Sequence, residues 1–86
     1  MWIEILNLLV TLMGVLMSLG HFPQAYKIYK RKSSKDISLV TYSIFTFGSI
    51  IWLAYGITLN QLPIVITFII AVIGTLSVMI LALKYR

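Results

Sequence analysis

The 86-residue chain contains no cysteine and only two acidic residues, Glu4 and Asp36. The lack of cysteine excludes disulfides, thiol chemistry and cysteine metal sites. The sequence also lacks a phosphate-binding loop, a hydrolase triad and any cluster of metal-ligating side chains. We therefore predict that the protein is not an enzyme and uses no metal ion or cofactor.

Charged residues of any kind are scarce, at 10% of the chain, whereas apolar residues make up 60%. A water-soluble fold this short could not cover so much apolar surface. Three segments without charged side chains are long enough to cross the bilayer, which takes about 20 residues. They span residues 5–26, 38–58 and 62–83. The predicted fold class is an all-α membrane protein in which residues 1–86 form a single unit of three transmembrane helices.

The seven basic residues, which leave a net charge of +5, occupy only two places. Five lie between the first two predicted helices, and Lys84 and Arg86 follow the third. With three crossings both places lie on one side, so the positive-inside rule predicts a cytoplasmic C-terminus and an external N-terminus. Topology and attraction to membrane lipid explain these charges, and we expect no binding to nucleic acid. The five are Lys27, Lys30, Arg31, Lys32 and Lys35.

No predicted helix contains a carboxylate, which a carrier driven by protons or sodium usually keeps within the membrane. The first helix has no basic segment before it and no cleavage site after it, so we expect it to remain in the mature protein. His21 is the one candidate for titration within the helices. A lone histidine near an interface more often packs through a hydrogen bond than couples protons, so the sequence favours transport without ion coupling.

Pro23 predicts a weak point near the end of the first helix. Proline cannot donate to the helical ladder, and it crowds the carbonyl four residues back, here that of Leu19. A hinge is therefore expected at this level. The other helices have ordinary starts, because Asp36 or Ser38 can cap the second helix and Pro63 is tolerated in the first turn of the third.

Polar and small residues recur along each helix at spacings of three and four, which places them on one face. Small residues in such a stripe favour close helix packing. The amide of Asn7, the indole of Trp52 and the phenol of Tyr55 need polar partners, which favours a water-filled path, although Tyr55 is also typical of an interfacial anchor. The stripes are Asn7, Thr11, Gly14, Ser18 and His21; Thr41, Phe45, Gly48, Trp52 and Tyr55; and Thr67, Ala71 and Gly74.

Three helices leave little room for an internal path, whereas two copies would supply six helices. Both copies must insert in the same direction, so they would be related by a two-fold axis along the membrane normal. Every residue that lines a path on the axis would then occur twice. Alternating access would be a rocking of the two bundles, with Pro23 letting the inner half of helix one move.

Four motifs occur in order along the chain: Phe22-Pro23-Gln24, Lys32-Ser33-Ser34-Lys35-Asp36-Ile37-Ser38, Gly48 with Trp52-Leu53-Ala54-Tyr55-Gly56-Ile57, and Leu62-Pro63-Ile64. As an ordered set they resemble the bacterial SemiSWEET branch of the PQ-loop transporters. The resemblance implies a parallel homodimer in the bacterial inner membrane, with helix three between helices one and two. It also implies facilitative uniport of a small sugar, such as glucose or sucrose, through a site on the dimer axis.

The resemblance further implies roles for single residues. Trp52 matches the tryptophan that stacks on the sugar ring, and Tyr55 matches an aromatic residue at the extracellular gate. Pro23, with Gln24, matches the hinge. The predicted substrate-binding residues are Ser49, Trp52, Thr67 and Phe68, and the predicted intracellular gate consists of His21, Thr41 and Phe45.

The sequence departs from that family at Phe68, where relatives commonly have an asparagine that hydrogen-bonds sugar hydroxyls. Thr67 can supply a smaller hydroxyl there, and Phe68 a further aromatic wall. A site without a substrate's expected partner can lose selectivity by orders of magnitude. Two alternatives therefore stay open: a PQ-loop-type carrier of a non-sugar metabolite such as an amino acid, and a non-transporting small membrane subunit.

Overall fold

The computed structural model describes all 86 residues, which form four α-helices and no strands. The helices are α1 (Trp2–Leu19), α2 (His21–Arg31), α3 (Leu39–Thr58) and α4 (Leu62–Lys84). α1 and α2 follow each other directly and together form one membrane-length segment, Trp2–Arg31. With α3 and α4, three segments are long and apolar enough to cross a membrane, which confirms the predicted fold class.

α4 lies in the middle of the molecule. It packs against α1, α2 and α3, whereas no Cα atom of α1 or α2 comes within 8 Å of one in α3. The Cα atoms extend over 48 × 21 × 14 Å, so the helices form a flat layer. The prediction that the third membrane helix lies between the first two is confirmed.

Small residues allow α4 to pack closely on its neighbours. A Cβ atom placed on Gly74 would lie 2.9 Å from Cβ of His21, so only glycine lets α2 come this near. Thr75 is fully buried, but its hydroxyl donates to the carbonyl of Ala71 at 2.8 Å and leaves no polar group unpaired. The buried residues of α4 recur at helical spacing and are Ala71, Gly74, Thr75, Val78 and Ala82.

The first membrane segment is interrupted at Gly20, three residues before Pro23. Because Pro23 has no N–H, the carbonyl of Leu19 lacks its helical donor, and α1 ends at Leu19. The amide of Gly20 donates instead to the carbonyl of Met17 at 3.1 Å, a tighter turn than that of an α-helix. α2 then continues to Arg31, beyond the predicted limit at residue 26, because lysine and arginine favour helix even where they are too polar for the hydrocarbon.

Ser34 ties the loop between α2 and α3 to the end of α4. Its side chain is buried, and its hydroxyl donates to the carbonyl of Ala82 at 3.0 Å. Its backbone N–H donates to the carbonyl of Tyr85 at 3.1 Å. These bonds satisfy carbonyls that the last turn of a helix leaves without intrahelical donors.

Each of the two later helices begins at a residue that the sequence indicates. The hydroxyl of Ser38 accepts a hydrogen bond from the N–H of Thr41 at 3.1 Å and caps α3. Asp36, the other candidate cap, pairs with Arg31 at 3.3 Å. Pro63 lies in the first turn of α4, where its missing N–H has no intrahelical acceptor to lose.

We expect Ser34→Ala to lower the free energy of unfolding by about 1–2 kcal/mol, because a buried carbonyl loses its donor. Ser33→Ala is the matched control, since the Ser33 hydroxyl only accepts an exposed bond from the N–H of Lys35 at 3.4 Å. It should change the free energy of unfolding by less than about 0.5 kcal/mol. Denaturant unfolding in detergent, followed by circular dichroism, measures both; equal stability of the two variants would contradict the role of Ser34.

Candidate functional site

A groove of about 470 Å³ lies on one face of the helix layer. α4 forms its floor, because α1 and α3 stand on either side of α4 and do not touch each other. The volume falls within the range of small-molecule binding sites. The lining residues come from all three membrane segments: Gly14, Met17, Ser18, His21, Phe45, Ser49, Thr67, Phe68 and Ala71.

Ser49 and Thr67 bring two hydroxyl groups into the groove that make no hydrogen bond within the chain. Elsewhere in the membrane segments the usual arrangement is a bond to the carbonyl four residues earlier, as Thr46 makes to Tyr42 at 2.8 Å. Ser18 donates to the carbonyl of Thr67 at 3.1 Å. Ser49 is only 7% exposed, but no side-chain oxygen or nitrogen is buried without a partner, so its hydroxyl keeps some exposure in the groove. Both groups are therefore available to a ligand.

Aromatic rings of α3 and α4 stack next to these hydroxyls: Phe68 lines the groove, whereas Trp52 and Tyr55 lie outside its lining, beside Ile51. The rings of Trp52 and Phe68 are stacked, with centroids 5.7 Å apart and planes at 10°. Tyr55 meets Trp52 edge-on, at 5.6 Å and 90°. Phe68 thus covers one face of the indole, while half of the Trp52 surface stays exposed. A ligand ring reaches the free part of the indole or displaces Phe68.

Three further rings stand at the end of the groove nearest to α2. Nδ1 of His21 lies 3.2 Å from the hydroxyl of Tyr42, and the two rings meet edge-on. Phe45 packs against both, with centroids 6.1 Å from His21 and 5.6 Å from Tyr42. The bond between His21 and Tyr42 is the only hydrogen bond that joins the first membrane segment to α3. The backbones of that segment and α3 stay apart, with no two Cα atoms within 8 Å.

Thr41 does not line the groove, although the sequence suggested it for the inner gate. Its side chain is exposed in the first turn of α3. Tyr42, which the sequence analysis missed, contacts His21 in its place. The available signal was the spacing between Tyr42 and Phe45, three residues and hence one helical turn along the same face.

Pro23 and Gln24 lie in the first turn of α2, just after the break at Gly20. Neither side chain lines the groove; Pro23 is exposed and Gln24 is half-buried. A change of angle between α1 and α2 at this point would move His21, which does line it.

The groove is largely apolar and uncharged, with a few polar groups. No lysine, arginine, aspartate or glutamate lines it, and nowhere in the chain do three or more metal-ligating side chains cluster. It offers a ligand two hydroxyls, one imidazole and several aromatic faces. This set suits a neutral molecule with hydroxyl groups on one part and an apolar surface on another.

Residues 5–65 match the PQ loop repeat family. A protein of Leptospira biflexa named sugar transporter SemiSWEET is 32% identical over 60 residues, which cover 70% of this chain and 71% of that protein. An Escherichia coli protein of the same name is 31% identical over 64 residues, covering 74% and 72%. The crystal structure of a bacterial homologue of SWEET transporters matches with a TM-score of 0.87 and 28% identity, over 95% of this chain and 99% of that one. The resemblance drawn from the four motifs is thereby confirmed, and the chain belongs to the PQ-loop family as a SemiSWEET-type protein.

Proposed function

We propose that this protein carries a small neutral sugar, such as glucose or sucrose, across the bacterial inner membrane as a uniporter. The relatives named as sugar transporters support the class of cargo. The observation that carries the proposal is a groove that holds the unbonded hydroxyls of Ser49 and Thr67 and the ring of Phe68, on which the indole of Trp52 is stacked from outside the groove lining. A sugar has hydroxyl groups for the first and an apolar C–H face for the second.

An amino acid is a poorer match to the same groove. Its ammonium and carboxylate groups would enter a site that no charged side chain lines. Removing an unpaired charge from water costs several kcal/mol even after the protein relaxes, on the order of what a whole site gains from binding. The hydroxyl groups of a sugar meet hydroxyl partners instead, so the chemistry of the groove favours the sugar over the zwitterion.

A second copy in the same orientation turns this open groove into an enclosed path. The helices form one layer, so nothing in a single chain covers the groove. Phe45 in its lining, and Trp52 and Tyr55 next to it, are each about half exposed. Between them, a Cβ atom on Gly48 would meet no other atom within 4 Å, which leaves space beside Trp52 for a ligand. We place the two-fold axis of a parallel homodimer along this face.

Alternating access requires a closure at each end of the enclosed path. We assign the inner closure to His21, Tyr42 and Phe45, and the outer closure to Tyr55. The basic residues in and just after the ends of α2 and α4 favour a cytoplasmic position for the inner closure and an external N-terminus, by the positive-inside rule. Bending at Gly20 and Pro23 separates His21 from Tyr42, and the path then opens to the cytoplasm.

We expect Trp52→Ala to reduce saturable counterflow of radiolabelled glucose and sucrose in proteoliposomes at least about tenfold, because the sugar loses its aromatic wall. Trp2→Ala is the matched control, since Trp2 lies at the far end of α1, is 68% exposed and neither lines the groove nor stacks on a residue that does. It should transport like the wild type.

Each other outcome of the counterflow assay has a distinct meaning. Wild-type rates in Trp52→Ala would remove this residue from the site. A wild-type protein that passes neither sugar would favour the non-sugar carrier or the non-transporting subunit, and flux that does not saturate would indicate a pore.

Ser49→Ala should raise the sugar concentration for half-maximal transport by about threefold to tenfold, because one neutral hydrogen bond to the ligand is lost. The control is Ser43→Ala, since Ser43 lies on the same helix but donates to the carbonyl of Leu39 at 2.7 Å. Concentration series of counterflow for the two variants give the comparison. Equal half-saturation values would show that Ser49 does not bind the sugar.

Two substitutions test the inner closure: Tyr42→Phe should change access to the groove, and Pro23→Ala should change the rate of transport. Tyr42→Phe removes one hydrogen bond and should increase access to the groove from the cytoplasm about twofold to tenfold. Pro23→Ala restores a helical N–H at the hinge and should slow transport without preventing sugar binding.

The wild-type chain has no cysteine, so a single Met17→Cys change in the groove reports access directly. The rate of its labelling by an impermeant maleimide on inside-out vesicles is compared among the variants, with Tyr26→Phe as control because Tyr26 does not line the groove. If Tyr42→Phe leaves the labelling rate unchanged, the His21–Tyr42 hydrogen bond does not contribute to the inner closure. If Pro23→Ala transports at the wild-type rate, Pro23 does not act as a hinge.

A further inference from the structure

Two lysines and two tyrosines meet where α2 and α4 end, away from the groove. Nζ of Lys32 lies 4.6 Å from the ring centroid of Tyr29 and 5.0 Å from that of Tyr85. Nζ of Lys84 lies 5.3 Å from the same Tyr85 centroid. These four residues are named the lysine-tyrosine cluster. Two ammonium groups therefore converge on one phenol.

No carboxylate side chain balances the two positive charges of the cluster. Asp36 pairs with Arg31 at 3.3 Å, and Glu4 pairs with the amino terminus at 3.5 Å. Neither Lys32 nor Lys84 forms a salt bridge, although like charges this close repel each other. The cluster is thus short of a negative charge.

The phenol of Tyr85 responds to this imbalance. Desolvation raises its pKa, but hydrogen bonding and the positive charges of Lys32 and Lys84 outweigh that effect, and the pKa lies below its ordinary value. The surroundings of the Tyr85 hydroxyl therefore favour an anion over a neutral group.

The hydrogen bonds within the cluster leave donors free. Nζ of Lys32 donates to the carbonyl of Tyr29 and to the hydroxyl of Tyr85, each at 3.5 Å. An ammonium group has three donors, so one remains. The Tyr85 hydroxyl accepts from Lys32 and keeps its own hydrogen, and the ammonium of Lys84 stands on the same ring. Three different groups can thus donate to one anion.

The cluster also adjoins an apolar surface of the kind that faces lipid chains. α4 ends at Lys84, and in its last turns Leu76, Ile80 and Leu83 lie on one face and are 40%, 63% and 58% exposed. Lysine and tyrosine are typical of the membrane interface. A ligand held here has its charged part beside the cluster and an apolar part along α4.

We propose that the lysine-tyrosine cluster binds the phosphate of an anionic phospholipid such as phosphatidylglycerol. The phosphate supplies the missing negative charge and accepts hydrogen bonds from Lys32, Lys84 and Tyr85. The acyl chains lie along the exposed face of α4. Because Lys32 ends α2 and Lys84 ends α4, the bound lipid holds these two helix ends together beside the loop that Ser34 already fastens.

Native mass spectrometry of the full chain in neutral detergent tests this proposal, by titration with phosphatidylglycerol and, separately, phosphatidylcholine. Lys32→Gln with Lys84→Gln should weaken binding of phosphatidylglycerol at least about tenfold more than Lys27→Gln with Lys35→Gln. Both pairs remove two charges from the same end, but neither Lys27 nor Lys35 stands over a tyrosine ring. The comparison therefore separates the cluster from diffuse attraction.

Tyr85→Phe keeps the ring but removes the hydroxyl donor, and it should weaken phosphatidylglycerol binding by about threefold or more. This variant tests the cluster if the double lysine variant does not fold. Equal losses in the two lysine pairs, or equal affinity for phosphatidylcholine in the wild type, would overturn the proposal. Inorganic phosphate is added in a further arm; displacement of the lipid at equal concentration would identify a soluble anion as the ligand and overturn the assignment to a lipid.

Discussion

The close contact of α4 with helices on both of its sides is the constraint on which the rest of this structure depends. Within a bilayer, apolar surfaces gain little by meeting each other, so helices associate through tight packing of small residues. Gly74 allows α2 to lie against α4 in this way, and Gly56 does so for α3, since a Cβ atom there would lie 2.6 Å from a side-chain carbon of Ile64. α4 consequently takes the middle position and holds the other helices apart.

This separation explains why the groove exists and why one chain cannot close it. α4 packs against both α1 and α3, whose Cα atoms stay more than 8 Å apart, and the groove between them is lined by residues of all three helices. The one polar link across that groove, from His21 to Tyr42, stands at one end. Just 11 of 86 residues are buried, so lipid or a second copy must cover most of the surface. The proposed pathway between two copies rests on the same packing that stabilises one.

The sequence predicted the fold and much of the groove because both follow from periodicity and the absence of charge. Helical spacing placed Phe45 and Trp52 on one face of α3; in the structure Phe45 packs on His21 and lines the groove, and Trp52 packs on Phe68 beside it. The choice between Thr41 and Tyr42 depends on a rotation of about 100° around the helix, which only the packed neighbours determine. The stacking of Phe68 on Trp52 was equally out of reach, because it depends on how far α4 is shifted along α3. Hydropathy likewise shows which residues can lie in hydrocarbon and does not show where a helix ends. The predicted segment therefore stopped at residue 26, whereas α2 continues to Arg31.

The hydroxyl groups of Ser49 and Thr67 connect this packing to function. In a membrane helix a serine or threonine hydroxyl has a ready acceptor in the carbonyl four residues earlier, and Thr46, Thr58, Thr75 and Ser77 all use it. A hydroxyl that forgoes this bond in hydrocarbon loses free energy unless another partner is present. Ser49 and Thr67 forgo it within the groove, and Thr41 forgoes it at the exposed first turn of α3, so water or a ligand supplies the partners of these three hydroxyls. A molecule that replaces water in the groove needs hydroxyl groups of its own to satisfy Ser49 and Thr67.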